Sequence, residues 1–150
     1  MSSLKSHWHD RYLELAQHIS KWSKDPSKQI GAIVIGSAGQ VLAQGYNGFP
    51  RGIADHESDY ANREIKYTKV VHAEMNAIYN ASRTGISLEG STMYVYGLPV
   101  CHECAKGIIQ VGIKHVVMKK TYDNSESRWK NSCTIAEQLF EEAGVTITYV

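Results

Sequence analysis

The sequence predicts an α/β fold in which a mixed five-stranded sheet lies between helical layers, as a three-layer α/β/α sandwich. Short apolar runs rich in β-branched residues alternate along the chain with longer segments whose apolar residues recur every three or four positions. Strand–helix–strand units of this kind place helices on the faces of a sheet. With 150 residues and 43% apolar content, the chain is expected to form one domain over 1–150.

The first half of the chain predicts a helix, a β-hairpin and a long loop. Apolar residues recur at steps of three, four or seven over roughly 4–22, which is typical of an amphipathic helix, and Pro26 ends this segment. The run 29–36 is apolar and β-branched, and a short turn leads from it into a second strand at 41–46. The polar stretch 54–69 has no clear periodicity and is expected to be a surface loop.

The second half predicts three helices, each followed by a strand. Gly85, Gly112 and Gly144 each follow the last periodic residue of a helix, where glycine is enriched. In chain order, we expect a helix at 72–83, a strand at 92–96, a helix at 101–111, a strand at 115–118, a helix near 135–143 and a strand at 145–150.

Composition narrows the class of function. The chain has 16 basic and 15 acidic residues and a formal charge of +1, so it lacks the basic excess of a protein that follows a phosphate backbone. A small-molecule substrate is therefore favoured over nucleic acid. Residues 1–20 contain no apolar run of signal-peptide or membrane-span length, so we expect a cytoplasmic protein without a membrane partner.

Two short clusters carry the strongest chemical signal. His72 and Glu74 open one predicted helix, while Cys101 and Cys104 open another directly after a strand. Thiolates at positions i and i+3 share one side of a first helical turn, near the positive end of the helix dipole. One nitrogen and two sulfurs suit tetrahedral zinc with an open position for water, which is typical of a catalytic site, and Glu74 could face that water.

The cysteine pair alone has other interpretations. It could be a redox pair, or half of a four-ligand structural site with His102, His115 or Cys133 as the fourth ligand. His102 follows Cys101 directly and would point away from its thiolate on a helix, and His115 begins a strand. A structural role is favoured for each of the three.

The clusters, with a lysine-containing segment at Ser23–Ser27 and a glycine-rich segment at Gly45–Gly52, resemble the deoxycytidylate (dCMP) deaminase family of the cytidine deaminase-like superfamily. A His-x-Glu pair followed by Cys-x-x-Cys with a proline nearby is the signature of zinc nucleobase deaminases. The resemblance covers most of the chain. It rests on the segments Ser23–Ser27, Gly45–Gly52, His72–Ile78 and Cys101–Ile109.

The resemblance implies a fold, a reaction and a set of site residues. It implies one zinc ion per subunit on His72, Cys101 and Cys104, with Glu74 as the proton carrier in the hydrolysis of dCMP to dUMP and ammonia. It further implies activation by dCTP and inhibition by dTTP, with Mg²⁺ accompanying the triphosphate, and a homo-oligomer, with a hexamer favoured. The implied substrate contacts are Asn47, Lys24 and Tyr122, and the implied effector residues are Gly48, Arg51 and Arg83.

Each of these contacts also has an ordinary structural interpretation. Asn47 suits a glycine-rich turn, Lys24 a solvated surface and Tyr122 a half-buried position. Surface solvation equally accounts for Arg51 and Arg83.

The sequence departs from the family pattern at one position. The family usually has proline directly before its first cysteine, whereas Val100 stands here between Pro99 and Cys101. The turn from strand to helix is therefore expected to be one residue longer. Some relatives bind a second, structural zinc through a cysteine ahead of the His-x-Glu helix, and no cysteine precedes Cys101, so that site is not expected.

Two other functions remain open at this stage. Adenosine deaminases acting on tRNA share the zinc constellation, but the near-neutral charge argues against a nucleic-acid substrate. A non-catalytic, zinc-stabilised binding module could keep the ligands, but it would have no need of Glu74.

Overall fold

The computed structural model describes residues 6–119 and 127–150, in which six helices and five strands follow one another. Because β-branched runs and amphipathic segments alternate in the second half of the sequence, helices and strands alternate there in the fold. The elements are α1 (Ser6–Ser20), β1 (Gly31–Ile35), β2 (Val41–Tyr46), α2 (Glu57–Ala61), α3 (Arg63–Lys69), α4 (Ala73–Thr84), β3 (Thr92–Tyr96), α5 (His102–Gln110), β4 (His115–Met118), α6 (Ser127–Ala143) and β5 (Thr146–Tyr149).

The five strands form one mixed sheet in the order β2-β1-β3-β4-β5. β1 runs antiparallel to β2 and β3, while β3, β4 and β5 are parallel. The two parallel pairs are joined by helices α5 and α6, as parallel connections require. The prediction of a mixed five-stranded α/β sheet is therefore confirmed.

The two faces of the sheet support separate hydrophobic cores, because successive strand residues point to opposite faces. One core holds the face of the sheet that packs against α4, α5 and α6, with Ala32, Val34, Met93, Val95 and Val116 among its members. The other joins the opposite face to α1 through Ile33, Ile35, Tyr94 and Val117. α1 thus forms one helical layer and α4–α6 the other.

Two glycines let α4 lie unusually close to its neighbours. A Cβ at Gly45, in β2, would stand 2.4 Å from the backbone nitrogen of Ala77 in α4. A Cβ at Gly107, in α5, would stand 2.6 Å from the sulfur of Met75. Because α4 follows His72 and α5 follows Cys101, the close approach at Gly107 brings the two predicted ligand clusters together.

The stretch 54–69 differs from the expected loop, since it contains α2 and α3. These helices have five and seven residues, so neither is long enough to show an apolar stripe, and α3 buries none of its residues. Asn62 marks the start of α3, where its side chain accepts a hydrogen bond from the backbone nitrogen of Ile65. No helix in the described ranges is long and apolar enough to cross a membrane.

Candidate active site

The first turns of α4 and α5 carry the two predicted clusters to one place. His72 precedes α4 in an extended conformation, and Cys101 occupies the same position before α5. The Cys101 sulfur accepts a hydrogen bond from the backbone nitrogen of Cys104 at 3.4 Å, so it caps its own helix. Helix N-termini favour negative charge, and both cysteines therefore stand where a thiolate is stabilised.

The three side chains have the spacing of a metal site. His72 Nδ1 lies 3.3 Å from Cys104 Sγ and 3.4 Å from Cys101 Sγ, and all three ligand atoms lie within 4.8 Å of one another. Tetrahedral zinc, with bonds of about 2.1 Å to nitrogen and 2.3 Å to sulfur, would separate these atoms by about 3.6 Å. The donor set therefore fits Zn²⁺ in both chemistry and spacing.

None of the proposed fourth ligands belongs to this group. Among the described residues, the His72, Cys101 and Cys104 group is the one cluster with metal-ligand spacing. His102 Nδ1 instead lies 2.8 Å from Ser132 Oγ, and His115 Nε2 lies 2.8 Å from Thr148 Oγ1. Three protein ligands leave one tetrahedral position for a small ligand, as in catalytic zinc sites.

The electrostatics of the cluster favour a thiolate at Cys101. The pKa of Cys101 is lowered chiefly by the hydrogen bond with the Cys104 thiol and further by the hydrogen bond with His72, whereas burial alone would raise it. The same interaction and burial raise the pKa of Cys104, and the hydrogen bond with Cys101 raises the pKa of His72. The cluster therefore favours the ionised form of Cys101, which is the form that coordinates zinc.

Glu74 lies beside the cluster without joining it. Its side chain is buried in the first turn of α4, and burial raises its pKa to about 7, with Cys101 adding to the effect and His72 opposing it. A carboxyl group whose pKa lies near neutrality can both accept and donate a proton.

A cavity of about 350 Å³ leads to His72. Its wall comes from the segment before β1 together with α2 and α3. Asn47 joins this site from the end of β2. Its Oδ1 accepts from the backbone nitrogen of Ile30 at 2.9 Å, and its Nδ2 donates to the backbone oxygen of Lys28 at 2.9 Å.

Asp25 organises the wall, although the sequence analysis did not select it. Its buried carboxylate forms a 2.7 Å ion pair with Lys66 of α3 and accepts from Ser27 through both the backbone nitrogen and Oγ. Burial opposes ionisation, but the hydrogen bonds from Lys66, Ser27 and Lys28 outweigh it and hold the pKa below its usual value. The order Asp-Pro-Ser is typical of an Asx turn and was the signal that could have identified Asp25.

The other predicted contacts occupy varied positions. Lys24 is exposed and forms a 3.2 Å ion pair with Asp55, while Tyr122 lies outside the described residues. Gly48 pairs with Val71 in an isolated bridge.

The two predicted effector arginines lie near the exposed side of α4. Arg51 donates to Asn80 Oδ1 at 2.7 Å, and Arg83 follows Asn80 by three positions on that helix. Residues three apart on a helix are neighbours, so both arginines flank Asn80.

Val100 is accommodated by burial. Its side chain is 2% exposed and belongs to the same core as Cys101, Cys104 and Ile108. The extra residue between Pro99 and Cys101 therefore adds a core contact while Cys101 keeps its position at the start of α5.

A larger cavity of about 1170 Å³ lies at the other end of β3, between the start of α1 and the β1–β2 turn. None of the ligand-cluster residues lines it. The smaller cavity is therefore the one with chemistry at its base.

The amino-acid sequence matches a known protein family over most of its length. Residues 6–120 match the family model described as the cytidine and deoxycytidylate deaminase zinc-binding region. The chain is 40% identical over 145 residues to an "uncharacterized deaminase in luxG 3′ region" of Aliivibrio fischeri, covering 97% of this chain and 95% of that protein. It is 39% identical to human deoxycytidylate deaminase, covering 93% of this chain and 77% of that protein.

Two solved structures extend the comparison. The dCMP deaminase of cyanophage S-TIM5, in complex with dCMP and dUMP, superposes with a TM-score of 0.77 at 27% identity, covering 98% of this chain and 99% of that chain. A tRNA:A34 deaminase superposes with a TM-score of 0.53 at 21% identity, covering 97% of this chain and 98% of that chain, and shares the fold.

Proposed function

The chain belongs to the cytidine and deoxycytidylate deaminase family, and on that premise we propose that it is a zinc-dependent enzyme that hydrolyses dCMP to dUMP and ammonia. One observation carries the proposal: His72, Cys101 and Cys104 meet with metal-ligand spacing beside the buried Glu74, and His72 lines the cavity.

The proposed mechanism assigns the metal to three side chains and the protons to one. His72, Cys101 and Cys104 would hold a zinc ion, which would supply the Lewis acidity that lowers the pKa of a water molecule toward neutrality. Glu74 accepts a proton from the attacking water and delivers it to N3 of the pyrimidine, which makes C4 electrophilic. Glu74 next accepts a proton from the hydroxyl group now on C4 and delivers it to the amino group, so that the C4–N bond breaks, ammonia leaves and the C4 carbonyl of dUMP forms. The pKa of about 7 for Glu74 in the metal-free chain supports its use in both directions.

A mononucleotide is the proposed substrate for two reasons. Relatives that share 39% identity with this chain are named deoxycytidylate deaminases, and the cyanophage neighbour was solved with dCMP and dUMP. The cavity is bounded on two sides, by the Asp25 segment and by α3, and its volume of about 350 Å³ suits one small molecule rather than a polynucleotide. The predicted contacts Asn47, Lys24 and Tyr122 stay predictions within this proposal.

Regulation and assembly are proposed on the resemblance alone. We expect dCTP with Mg²⁺ to activate the enzyme and dTTP to inhibit it through Gly48, Arg51 and Arg83, in a homo-oligomer with a hexamer favoured. Rates at subsaturating dCMP, with and without each effector, and light scattering of the purified protein check these expectations.

One assay tests the proposed reaction. Zinc-loaded protein is incubated separately with dCMP, CMP, deoxycytidine and a tRNA anticodon stem-loop, and deamination is followed by absorbance and by ammonia release. We expect dCMP to have the highest kcat/KM, with the rate of ammonia release lowered by about 10²- to 10⁴-fold in the Glu74→Gln variant. Preference for the stem-loop would reject the nucleotide assignment, and zinc-loaded protein that turns over none of the four would reject the enzyme assignment.

A further inference from the structure

Among the residues that the structure describes, three lysine or arginine side chains line the cavity, and one of them already forms an ion pair. Lys66 lies 2.7 Å from Asp25 Oδ2 and donates to Ser27 Oγ at 2.9 Å, with only 15% of its side chain exposed. Lys28 and Arg63 line the same cavity, and neither side chain forms an ion pair or hydrogen bond with any part of the chain that the structure describes. The cavity therefore presents two unneutralised cations.

We infer that Arg63 and Lys28 form the subsite for the 5′-phosphate of the substrate, an inference that rests on the proposed function. A phosphomonoester carries between one and two negative charges at neutral pH. Because the Asp25 carboxylate and Lys66 neutralise each other, the charge left on the cavity wall matches that of the phosphate. The guanidinium of Arg63 offers paired donors for phosphate oxygens, while Lys28 acts as a point charge.

The Asp25–Lys66 pair fixes where these two cations stand. Lys28 follows the turn that Asp25 stabilises, and its backbone nitrogen donates to Asp25 Oδ1 at 3.3 Å. Arg63 lies one turn before Lys66 on α3 and is carried by the same helix. The ion pair therefore joins the segment that carries Lys28 to the helix that carries Arg63, and so limits how far apart the two cations can stand. Asp25 and Lys66 are positioning residues in this arrangement.

Lys24, the lysine selected by sequence resemblance, is a weaker candidate for phosphate. Its side chain is 68% exposed, it forms an ion pair with Asp55, and it does not line the cavity. Binding phosphate would require Lys24 to leave Asp55, whereas Arg63 and Lys28 have no partner among the described residues to lose.

The subsite predicts a specific kinetic signature. Because the phosphate is remote from the reacting C4 atom, losing one charge-assisted contact should lower kcat/KM for dCMP by about 10- to 100-fold, mainly through KM. Deoxycytidine lacks the phosphate, so its kcat/KM should not change. A merely structural defect would lower both values together.

The experiment measures both substrates in five zinc-loaded proteins: wild type, Arg63→Gln, Arg63→Lys, Lys28→Gln and the matched control Arg11→Gln. Arg11 is exposed on α1 and lies 4.6 Å from the ring centre of Trp8, away from the cavity. We expect Arg63→Gln and Lys28→Gln to lose activity toward dCMP alone, Arg63→Lys to recover part of it, and Arg11→Gln to match wild type. Equal losses on dCMP and deoxycytidine, or no loss on dCMP, would overturn the inference.

A binding measurement separates failure of the subsite from failure of the proposed function. Calorimetric titration compares dUMP with deoxyuridine, which differ only in the phosphate. Wild type should bind dUMP more tightly, and Arg63→Gln should remove most of that difference. If wild type turns over no pyrimidine, the proposed function fails while this affinity difference still tests the subsite. If dUMP and deoxyuridine bind wild type equally, the subsite is rejected whatever the enzyme turns over.

Discussion

The two ends of the cavity are built in different ways. Its base is the part lined by His72, which stands at the start of α4. His72 contacts Cys101 at the start of α5, and the two helices pack closely because Gly107 leaves room for Met75. At its mouth, the wall consists of an irregular segment and two short helices, joined by hydrogen bonds around Asp25 and Lys66. The base therefore depends on the hydrophobic core, whereas the mouth depends on a polar network.

This difference separates two tasks. A metal site needs ligand atoms held within a few tenths of an ångström, which elements anchored in a core provide. A substrate wall needs polar groups at its surface, and a loop can supply these only if its own backbone groups are satisfied. Asp25 and Asn47 meet that need by accepting from the backbone nitrogens of Ser27, Lys28 and Ile30. Changes at the base should abolish chemistry, and changes at the mouth should alter stability and affinity.

The largest effect is expected from loss of a metal ligand. Replacing Cys104 with alanine leaves two ligands, so the protein should lose stoichiometric zinc and its deaminase activity should fall to background. Elemental analysis by mass spectrometry and the ammonia assay check this. Full zinc content in Cys104→Ala would show that the metal lies elsewhere.

Glu74→Gln should come next, because it removes the proton carrier and keeps the ligands. General acid–base catalysis contributes about 10²- to 10⁴-fold, so kcat should fall by that factor while zinc content stays at the wild-type level. Parallel measurements of kcat and bound zinc separate this variant from Cys104→Ala. An active Glu74→Gln variant would reject the proposed proton path.

The same contrast explains what could be predicted from the sequence. The fold class follows from residue periodicity, and the ligand set follows from local spacing, since His72 and Glu74 share one turn and Cys101 and Cys104 share another. The polar network at the mouth could not be predicted from local spacing, because Asp25 and Lys66 are distant in sequence and meet only in the tertiary structure. α2 and α3 escaped prediction because each is too short to carry a periodic apolar pattern.

At the mouth, Lys66→Met should destabilise the fold by leaving the Asp25 carboxylate buried without its cation. Breaking a buried ion pair costs about 3–5 kcal/mol, and the lower end is expected because Lys66 is partly exposed. Lys69→Met is the matched control on the same helix: its ion pair with Asp59 is more exposed and should contribute less than about 1 kcal/mol. Urea unfolding measures the loss of unfolding free energy in both variants. Equal losses would show that the Asp25–Lys66 pair contributes no more than the more exposed Asp59–Lys69 pair.

The Asp25 pair should also be sensitive to acid. Because the pKa of Asp25 in the folded chain lies below its ordinary value of 3.8, its contribution to stability is complete above that pH. The contribution is lost as the pH falls through the lower, folded pKa. The difference in unfolding free energy between wild type and Lys66→Met should therefore be constant near neutrality and shrink below pH 3.8. Urea titrations of the two proteins at several pH values measure it.

Close packing of α4 against the sheet predicts a smaller effect from Gly45→Ala. The added methyl group would overlap the backbone of α4 at Ala73 and Ala77, so β2 and α4 must separate. Overpacking of this kind costs about 1–3 kcal/mol. Thermal unfolding checks the loss, with Gly48→Ala as control because a Cβ there would meet only the Tyr60 hydroxyl at 3.6 Å. An undiminished Tm in Gly45→Ala would mean that this close approach does not hold α4 in place.

The smallest effect should come from His102→Ala, which tests whether the metal site has three protein ligands or four. His102 lies next to Cys101 in sequence, yet its ring bonds to Ser132 on α6 and is absent from the ligand group. Losing this half-exposed hydrogen bond should cost about 0.5–1.5 kcal/mol and leave zinc content unchanged. Elemental analysis and urea unfolding measure both. A variant that lost zinc would make His102 a fourth ligand, which would fill the open position and convert the proposed catalytic site into a structural one.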